Sequence, residues 1–100
     1  MENIPFRAPD EVIAELGDRL KQRRLADGFK QVTLADKAGV SRRAIVDLEA
    51  GRGSSLETLV RVLKALGLEE NIAALVPVPR VSPMAMARAS TSATPKRGVR

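Results

Sequence analysis

The chain contains no cysteine and no histidine. The lack of cysteine excludes disulfide bonds and thiolate metal sites, and the lack of histidine removes the usual general base and the commonest metal ligand. The serines and carboxylates offer no nucleophile beside a base, and the sequence has no glycine-rich phosphate loop. We therefore expect a protein that is not an enzyme and that uses neither a metal nor a cofactor.

Long hydrophobic runs are also missing from the sequence. No segment approaches the run of about 18 apolar residues that a membrane-spanning helix requires. The first residues lack the basic region followed by an apolar stretch that marks a secretory signal. We therefore expect a cytoplasmic protein with no membrane partner.

Positive charge is concentrated at one end of the chain. Residues 1–76 contribute nothing to the formal net charge of +5, because they hold twelve lysines and arginines and twelve aspartates and glutamates. Residues 77–100 hold five basic residues and no acidic residue. If the first part of the chain binds a polyanion, it must do so through local segregation of charge.

Hydrophobic periodicity predicts an all-α fold. A first helix, with Asp10 as its N-cap, places Ile13, Leu16 and Leu20 on one face and ends near Gly28. A later helix repeats this spacing on four leucines, which are Leu56, Leu59, Leu63 and Leu66. A last short helix is expected at about residues 70–75, before two prolines.

These helices suggest three segments. Residues 1–9 are predicted to form an N-terminal arm, residues 10–76 a helical domain, and residues 77–100 a flexible basic tail. The tail is polar and has little periodicity, which is typical of a segment that is disordered unless a partner orders it.

The stretch 31–51 has the pattern of two short helices joined by a tight turn. Apolar residues at helical spacing are followed by Gly39, which suits a helix end that requires a positive φ. Ser41 is a good N-cap for the second helix, and Ile45 and Leu48 give that helix an apolar face. Two short helices joined in this way form a helix-turn-helix, whose second helix enters the DNA major groove.

This stretch resembles the helix-turn-helix of the Cro/CI-type (Xre) family of phage repressors, and the resemblance covers about residues 13–76. It implies a five-helix repressor-like domain that binds double-stranded DNA with its third helix. The residues that match the family's motif in register are Gln31, Leu34, Ala35, Gly39, Val40, Ser41, Ile45, Leu48, Glu49 and Gly51.

The resemblance also implies roles for single residues. The positions that read base edges are Ser41, Arg42, Arg43, Val46 and Asp47. Arg42 and Arg43 suit guanine O6 and N7, although either could instead contact phosphates alone. Arg24 and Glu49 match a pair that forms a buried ion pair between the first and third helices.

Asp47 and Val46 also allow two interpretations each. Asp47 either accepts a hydrogen bond from cytosine N4 or holds Arg43, four residues earlier, and orients its guanidinium group. We favour the second interpretation, because a carboxylate repels the DNA backbone. Val46 either touches a thymine methyl group or only fills space.

Contacts with the DNA backbone require donors around the reading helix. Gln31 matches a position that binds a phosphate at a helix N-terminus and braces the reading helix, or else it is only a polar helix start. Neighbouring loop residues are further candidates, with plain solvated surface as the alternative. The candidate phosphate-binding residues are Lys30, Gln31, Arg52, Ser54 and Ser55.

A single reading helix covers only a few base pairs. A two-fold dimer doubles the contact and matches a palindromic operator. Domains of this family often self-associate past the fourth helix, and the candidate interface residues there are Leu68, Ile72, Leu75 and Val76. The alternative is that these residues cap the core of the monomer.

Within the family, the chain is similar to the HipB-like antitoxins of toxin–antitoxin operons. The similar segments are residues 65–71, 74–77 and 82–83, together with the small size and the short basic tail. The resemblance implies an autoregulating repressor of a HipBA-like operon, with a HipA-like kinase toxin as its partner. The alternatives are a stand-alone phage-type repressor without a toxin and a protein-binding helix-turn-helix module.

The tail allows three interpretations. Lys96, Arg97 and Arg100 could bind DNA phosphates or the minor groove. The apolar residues Met84 and Met86 could instead fold onto a partner. The third interpretation is a tail that only raises solubility.

Overall fold

The computed structural model describes residues 7–79, and these residues form five helices and no strand. The helices are α1 (Pro9–Ala26), α2 (Gln31–Ala38), α3 (Arg42–Glu49), α4 (Leu56–Ala65) and α5 (Asn71–Leu75). The predicted all-α class is thereby confirmed. Residues 1–6 and 80–100, which hold most of the predicted arm and tail, lie outside the described residues.

The first helix begins two residues earlier than an N-cap at Asp10 would allow. The N-cap is Ala8, whose backbone N–H donates to Glu11 Oε1 at 3.1 Å. Pro9 suits the first helical position, because its fixed φ is already helical and its missing N–H would have no partner there. Asp10 therefore lies inside the first turn, and its prediction as the N-cap is wrong.

The ends of the two motif helices follow the predicted chemistry. Gly39 ends α2 in the left-handed region, with φ of 72°. The Ser41 hydroxyl accepts the Ala44 N–H at 3.0 Å and caps α3. Ser55 caps α4 in the same way through the Thr58 N–H, also at 3.0 Å. Each serine satisfies a backbone donor that the helix itself leaves without a partner.

The core lies where α2 packs against α3 and α4, with α1 packed against α3. The most deeply buried large side chains are Leu34 from α2, Ile45 from α3 and Val62 from α4. The buried apolar residues as a group are Leu20, Leu34, Ala35, Ala38, Ile45, Leu48, Val62 and Leu66. The buried residues of this core are all aliphatic, and the partly buried Phe29 packs against them.

The predicted apolar face of α4 is wrong at its first residue. Leu56 is 75% exposed, because it opens the helix on the rim of two surface grooves instead of against the core. The buried stripe instead begins one turn later and includes Val62, which leucine spacing alone did not single out. Leu59 and Leu63 pack on this stripe and are partly buried.

A close approach between α1 and the end of α3 fixes the position of the third helix. A Cβ atom at Gly17 would lie 2.2 Å from the Leu48 carbonyl oxygen, so only glycine fits at this crossing. Gly51, with φ of 79°, would likewise place a Cβ 2.9 Å from the Ala14 Cα atom. The two glycines therefore bring α1 against the carboxyl end of α3.

Candidate nucleic-acid interface

The third helix has one buried side and one exposed side. Ile45 and Leu48 are buried in the core, whereas Arg42 and Arg43 are exposed on the first turn of the helix. The packing of the buried side holds the helix in place while the two guanidinium groups face outward. An exposed helix held in this way can enter a DNA major groove and present side chains to base edges.

The remaining predicted reading positions lie around these arginines. Ser41 is exposed, but its hydroxyl oxygen already accepts the N-cap hydrogen bond. Val46 is half-buried and lies one turn beyond Arg42 and Arg43. The five predicted reading positions thus belong to the N-cap and the first two turns of α3.

Asp47 lies between two arginines. Arg43 Nε lies 3.2 Å from Asp47 Oδ1, and Arg52 Nε donates to the same oxygen at 3.0 Å. The hydrogen bond from Arg52 holds the pKa of Asp47 below its ordinary value of 3.8, and the positive charge of Arg43 lowers it further against the effect of desolvation. The Asp47 carboxylate is therefore occupied by arginine side chains, which fits its predicted role of orienting Arg43.

The contact between Arg52 and Asp47 was not foreseen from the sequence. Arg52 is exposed in the loop after α3, and its backbone N–H also donates to the Asp47 carbonyl oxygen at 2.9 Å. Gly51, with its positive φ, directs the chain back toward the helix. The sequence does place Gly51 and Arg52 just past the end of the helix that holds Asp47. The spacing of five residues between Asp47 and Arg52 does not by itself predict that their side chains meet.

A buried network joins three elements behind the exposed face. Arg24 of α1 donates to both Glu49 carboxylate oxygens, at 2.7 and 2.9 Å, and to the Phe29 carbonyl oxygen at 2.8 Å. Gln31 of α2 donates from its side-chain amide to Glu49 Oε1 at 3.1 Å. Because Glu49 lies at the end of α3, the network ties the reading helix to both α1 and α2.

The loop residues predicted to contact phosphates differ in the hydrogen bonds that their side chains already make. Lys30 is exposed and precedes α2, and no side chain among the described residues caps that helix. Ser54 is exposed and its hydroxyl donates to the Ser55 carbonyl oxygen at 2.8 Å. The Ser55 hydroxyl oxygen caps α4, and Arg52 is held by Asp47.

The predicted interface residues fall into two groups. Leu68 and Ile72 are half-buried, and Leu68 packs against the core. Leu75 and Val76 are 62% and 70% exposed, so they do not close the core of the monomer. Leu75 also borders a groove lined mainly by apolar side chains from α1, α4 and α5.

The predicted tail contacts Lys96, Arg97 and Arg100, with the segment around Met84 and Met86, lie outside the described residues. Within residues 7–79, no three side chains of the kinds that usually bind metals come together. No helix in the same range is both long enough and apolar enough to cross a membrane.

The fold and the two exposed arginines on the first turn of α3 define the protein as a DNA-binding helix-turn-helix protein. A family model described as Helix-turn-helix matches residues 20–72, which is more than half of the chain. The chain therefore belongs to the Cro/CI-type (Xre) helix-turn-helix family and is a DNA-binding transcription regulator. No curated protein matches the chain.

Proposed function

We propose that the protein is a sequence-specific transcriptional repressor that reads an operator through α3. The observation that carries this proposal is the pair of exposed arginines, Arg42 and Arg43, on a helix whose opposite side is fixed in the core. A guanidinium group bonds guanine O6 and N7 at once, and this is the commonest base-specific contact in the major groove. Val46 and Ser41 are the neighbouring positions that approach bases.

The helical domain carries no net charge, so its affinity for DNA has to come from donors grouped around α3. Lys30 and Gln31 stand at the start of α2, where unpaired backbone N–H groups favour a phosphate. Ser54 and Ser55 lie across the loop before α4. These groups position the domain on the duplex, and the arginines of α3 supply the sequence preference.

We further propose that the protein acts as a dimer on a palindromic operator. The support is the exposure of Leu75 and Val76, because burying large apolar side chains between two copies stabilises a dimer. Leu68 and Ile72 continue this surface toward the core. A two-fold dimer places two copies of α3 on successive half-sites, which doubles the contact.

The regulatory setting that we propose is an autoregulated HipBA-like operon in the cytoplasm, with this chain as the antitoxin and a HipA-like kinase toxin as its partner. The support is the resemblance in residues 65–71, 74–77 and 82–83. Co-purification with the product of the adjacent gene tests this proposal. A gene without a neighbouring toxin frame would instead indicate a stand-alone phage-type repressor.

A selection from random double-stranded DNA tests the reading role of α3. The full chain is expected to enrich a palindromic sequence, and Arg42→Ala/Arg43→Ala is expected to lose that selectivity while its helical circular dichroism is unchanged. The matched control is Arg23→Ala/Arg61→Ala, which removes two other exposed arginines in i,i+4 pairs. Full operator selectivity in the Arg42/Arg43 variant would contradict the proposal.

A further inference from the structure

The Asp47 carboxylate of α3 lies between two arginines, one on the same helix and one in the loop that follows it. Asp47 receives Arg43 from the preceding turn and Arg52 from the following loop, both within 3.2 Å of its Oδ1 atom. The Arg43 side chain is nevertheless 77% exposed, and that of Arg52 is 54% exposed. The two guanidinium groups are thus held at one end while most of their surface faces solvent.

Both arginines contact Asp47 through Nε, which leaves their two terminal nitrogens available for other bonds. Each arginine bonds Asp47 through Nε, and among the described residues neither is seen to bond through its terminal nitrogens. The two terminal nitrogens of a guanidinium group form the fork that bonds guanine O6 and N7 end-on. A carboxylate on Nε therefore fixes the direction of the fork without occupying it.

We propose that Asp47 is a positioning residue that holds Arg43 and Arg52 as a pair of guanine readers. Arg52 then belongs to the base-reading set instead of the phosphate-binding set in which its loop position had placed it. This inference rests on the proposed function, since it requires that α3 enters a major groove. The ligand of the pair is the O6 and N7 edge of guanine.

The same carboxylate limits binding to unrelated sequences. An unrestrained arginine near DNA is drawn to phosphates, which are present at every position and carry no sequence information. Asp47 competes with phosphates for both arginines, and its negative charge opposes close approach to the backbone. The expected result is weaker binding to random DNA and a larger ratio of operator affinity to random-DNA affinity.

Asp47→Asn tests the inference, because the amide keeps the shape of the side chain and removes its charge. We measure the affinity of the full chain for the selected operator, for the same operator with single guanines replaced and for random DNA, each at several salt concentrations. The variant is expected to bind random DNA more tightly, with a salt slope steeper by about 0.9 for each arginine that moves to a phosphate. Discrimination at the contacted guanines is expected to fall by about 5- to 150-fold, the range of one bidentate pair.

Asp27→Asn is the matched control. Asp27 is also an aspartate four residues from an arginine, at 3.4 Å from Arg23, and its side chain is 32% exposed against 33% for Asp47. The control removes the same charge away from α3, so it should change the affinity for all sequences alike. Loss of discrimination in Asp47→Asn but not in Asp27→Asn supports the inference.

Arg52→Ala separates base reading from phosphate binding. A base reader loses discrimination at one guanine, whereas a phosphate contact weakens binding to all sequences uniformly and lowers the salt slope by about 1. Uniform weakening, or an unchanged operator ratio in Asp47→Asn, would overturn the inference while leaving the proposed function intact. If the unaltered chain selects no sequence at all, the proposed function fails and the inference fails with it.

Discussion

At the scale of single residues, the buried ion pair between Arg24 and Glu49 ties α3 to α1. Arg24 and Glu49 are 6% and 8% exposed, so both charges have lost most of their water. Their losses are compensated by mutual bonds and by additional bonds with the Phe29 carbonyl and the Gln31 amide. A network satisfied in this way holds a geometry, whereas one that loses a member leaves a buried charge without a partner.

Glu49→Ala is therefore expected to lower the free energy of unfolding by about 3–5 kcal/mol, because Arg24 remains buried without its counterion. Urea unfolding followed by circular dichroism measures this loss. Glu57→Ala is the control, since its carboxylate pairs with Arg61 in an exposed i,i+4 pair and should contribute less than about 1 kcal/mol. Equal losses in the two variants would contradict a structural role for the buried pair.

Some of these contacts are predictable from the sequence and others are not. The family resemblance predicts the pair of Arg24 and Glu49, because both residues match motif positions that form an ion pair in that family. Gln31 belongs to α2 but donates a hydrogen bond to Glu49 at the end of α3, which is how it can brace α3. The loop position of Arg52 predicts only a phosphate contact. Its bond to Asp47 depends on the turn at Gly51, and residue spacing does not predict the geometry of that turn.

At the scale of elements, the helix-turn-helix was predictable because each local signal agreed with the next. Gly39 ends α2 and Ser41 begins α3 through local backbone and side-chain chemistry, which does not depend on how the helices pack. The ends of the outer helices depend more on context, which is why α1 begins before Asp10. The exposure of Leu56 has the same origin, because burial at a helix end depends on which neighbouring elements cover it.

At Gly17, helix propensity and the packing of α1 against α3 predict opposite effects of adding a methyl group. In an isolated helix a central glycine is less stable than alanine by about 1 kcal/mol, so propensity alone predicts that Gly17→Ala stabilises the protein. The crossing with α3 predicts the opposite sign, because the added methyl group would collide with the Leu48 carbonyl oxygen. We expect a destabilisation of about 1–3 kcal/mol.

Urea unfolding of Gly17→Ala decides between these two effects. The displacement of α3 should also weaken the bonds between Arg24 and Glu49, so operator affinity is expected to fall together with stability. A variant as stable as the unaltered chain, or more stable, would show that α1 and α3 do not approach each other as closely as described.

At the scale of the whole molecule, the helix that we propose to read DNA is not the helix that carries the exposed apolar residues of the proposed dimer interface. Acidic and basic residues balance over residues 1–76, and the excess positive charge lies in residues 77–100. Three of the seven exposed large apolar side chains among the described residues lie at the end of α5 and just after it, and these are Leu75, Val76 and Val78. The proposed reading by α3 and the proposed self-association at α5 use different helices, so each proposal can be tested by variants that leave the other surface unchanged.

Leu75→Glu/Val76→Glu is expected to convert a dimer into a monomer. Both side chains are exposed, so the fold should remain intact, while each fully buried side chain of this kind contributes about 1.5–3 kcal/mol to association. Sedimentation equilibrium of the two proteins measures the change, with circular dichroism as the check on folding. An unaltered chain that stays monomeric at all concentrations, or a variant that still dimerises equally well, would contradict the proposed interface.

The central claim is that arginines of α3 bond guanine edges, and 7-deazaguanine tests it most directly, because this base lacks only the N7 acceptor. Operator affinity is measured for the unaltered chain and for Arg42→Ala and Arg43→Ala, with guanine or 7-deazaguanine at each operator guanine in turn, as a double-mutant cycle. We expect 7-deazaguanine to lower the operator affinity of the unaltered chain. It should cause no further loss of affinity in the variant that lacks the arginine bonded to that guanine. Equal losses in all three proteins at every guanine would contradict the claim.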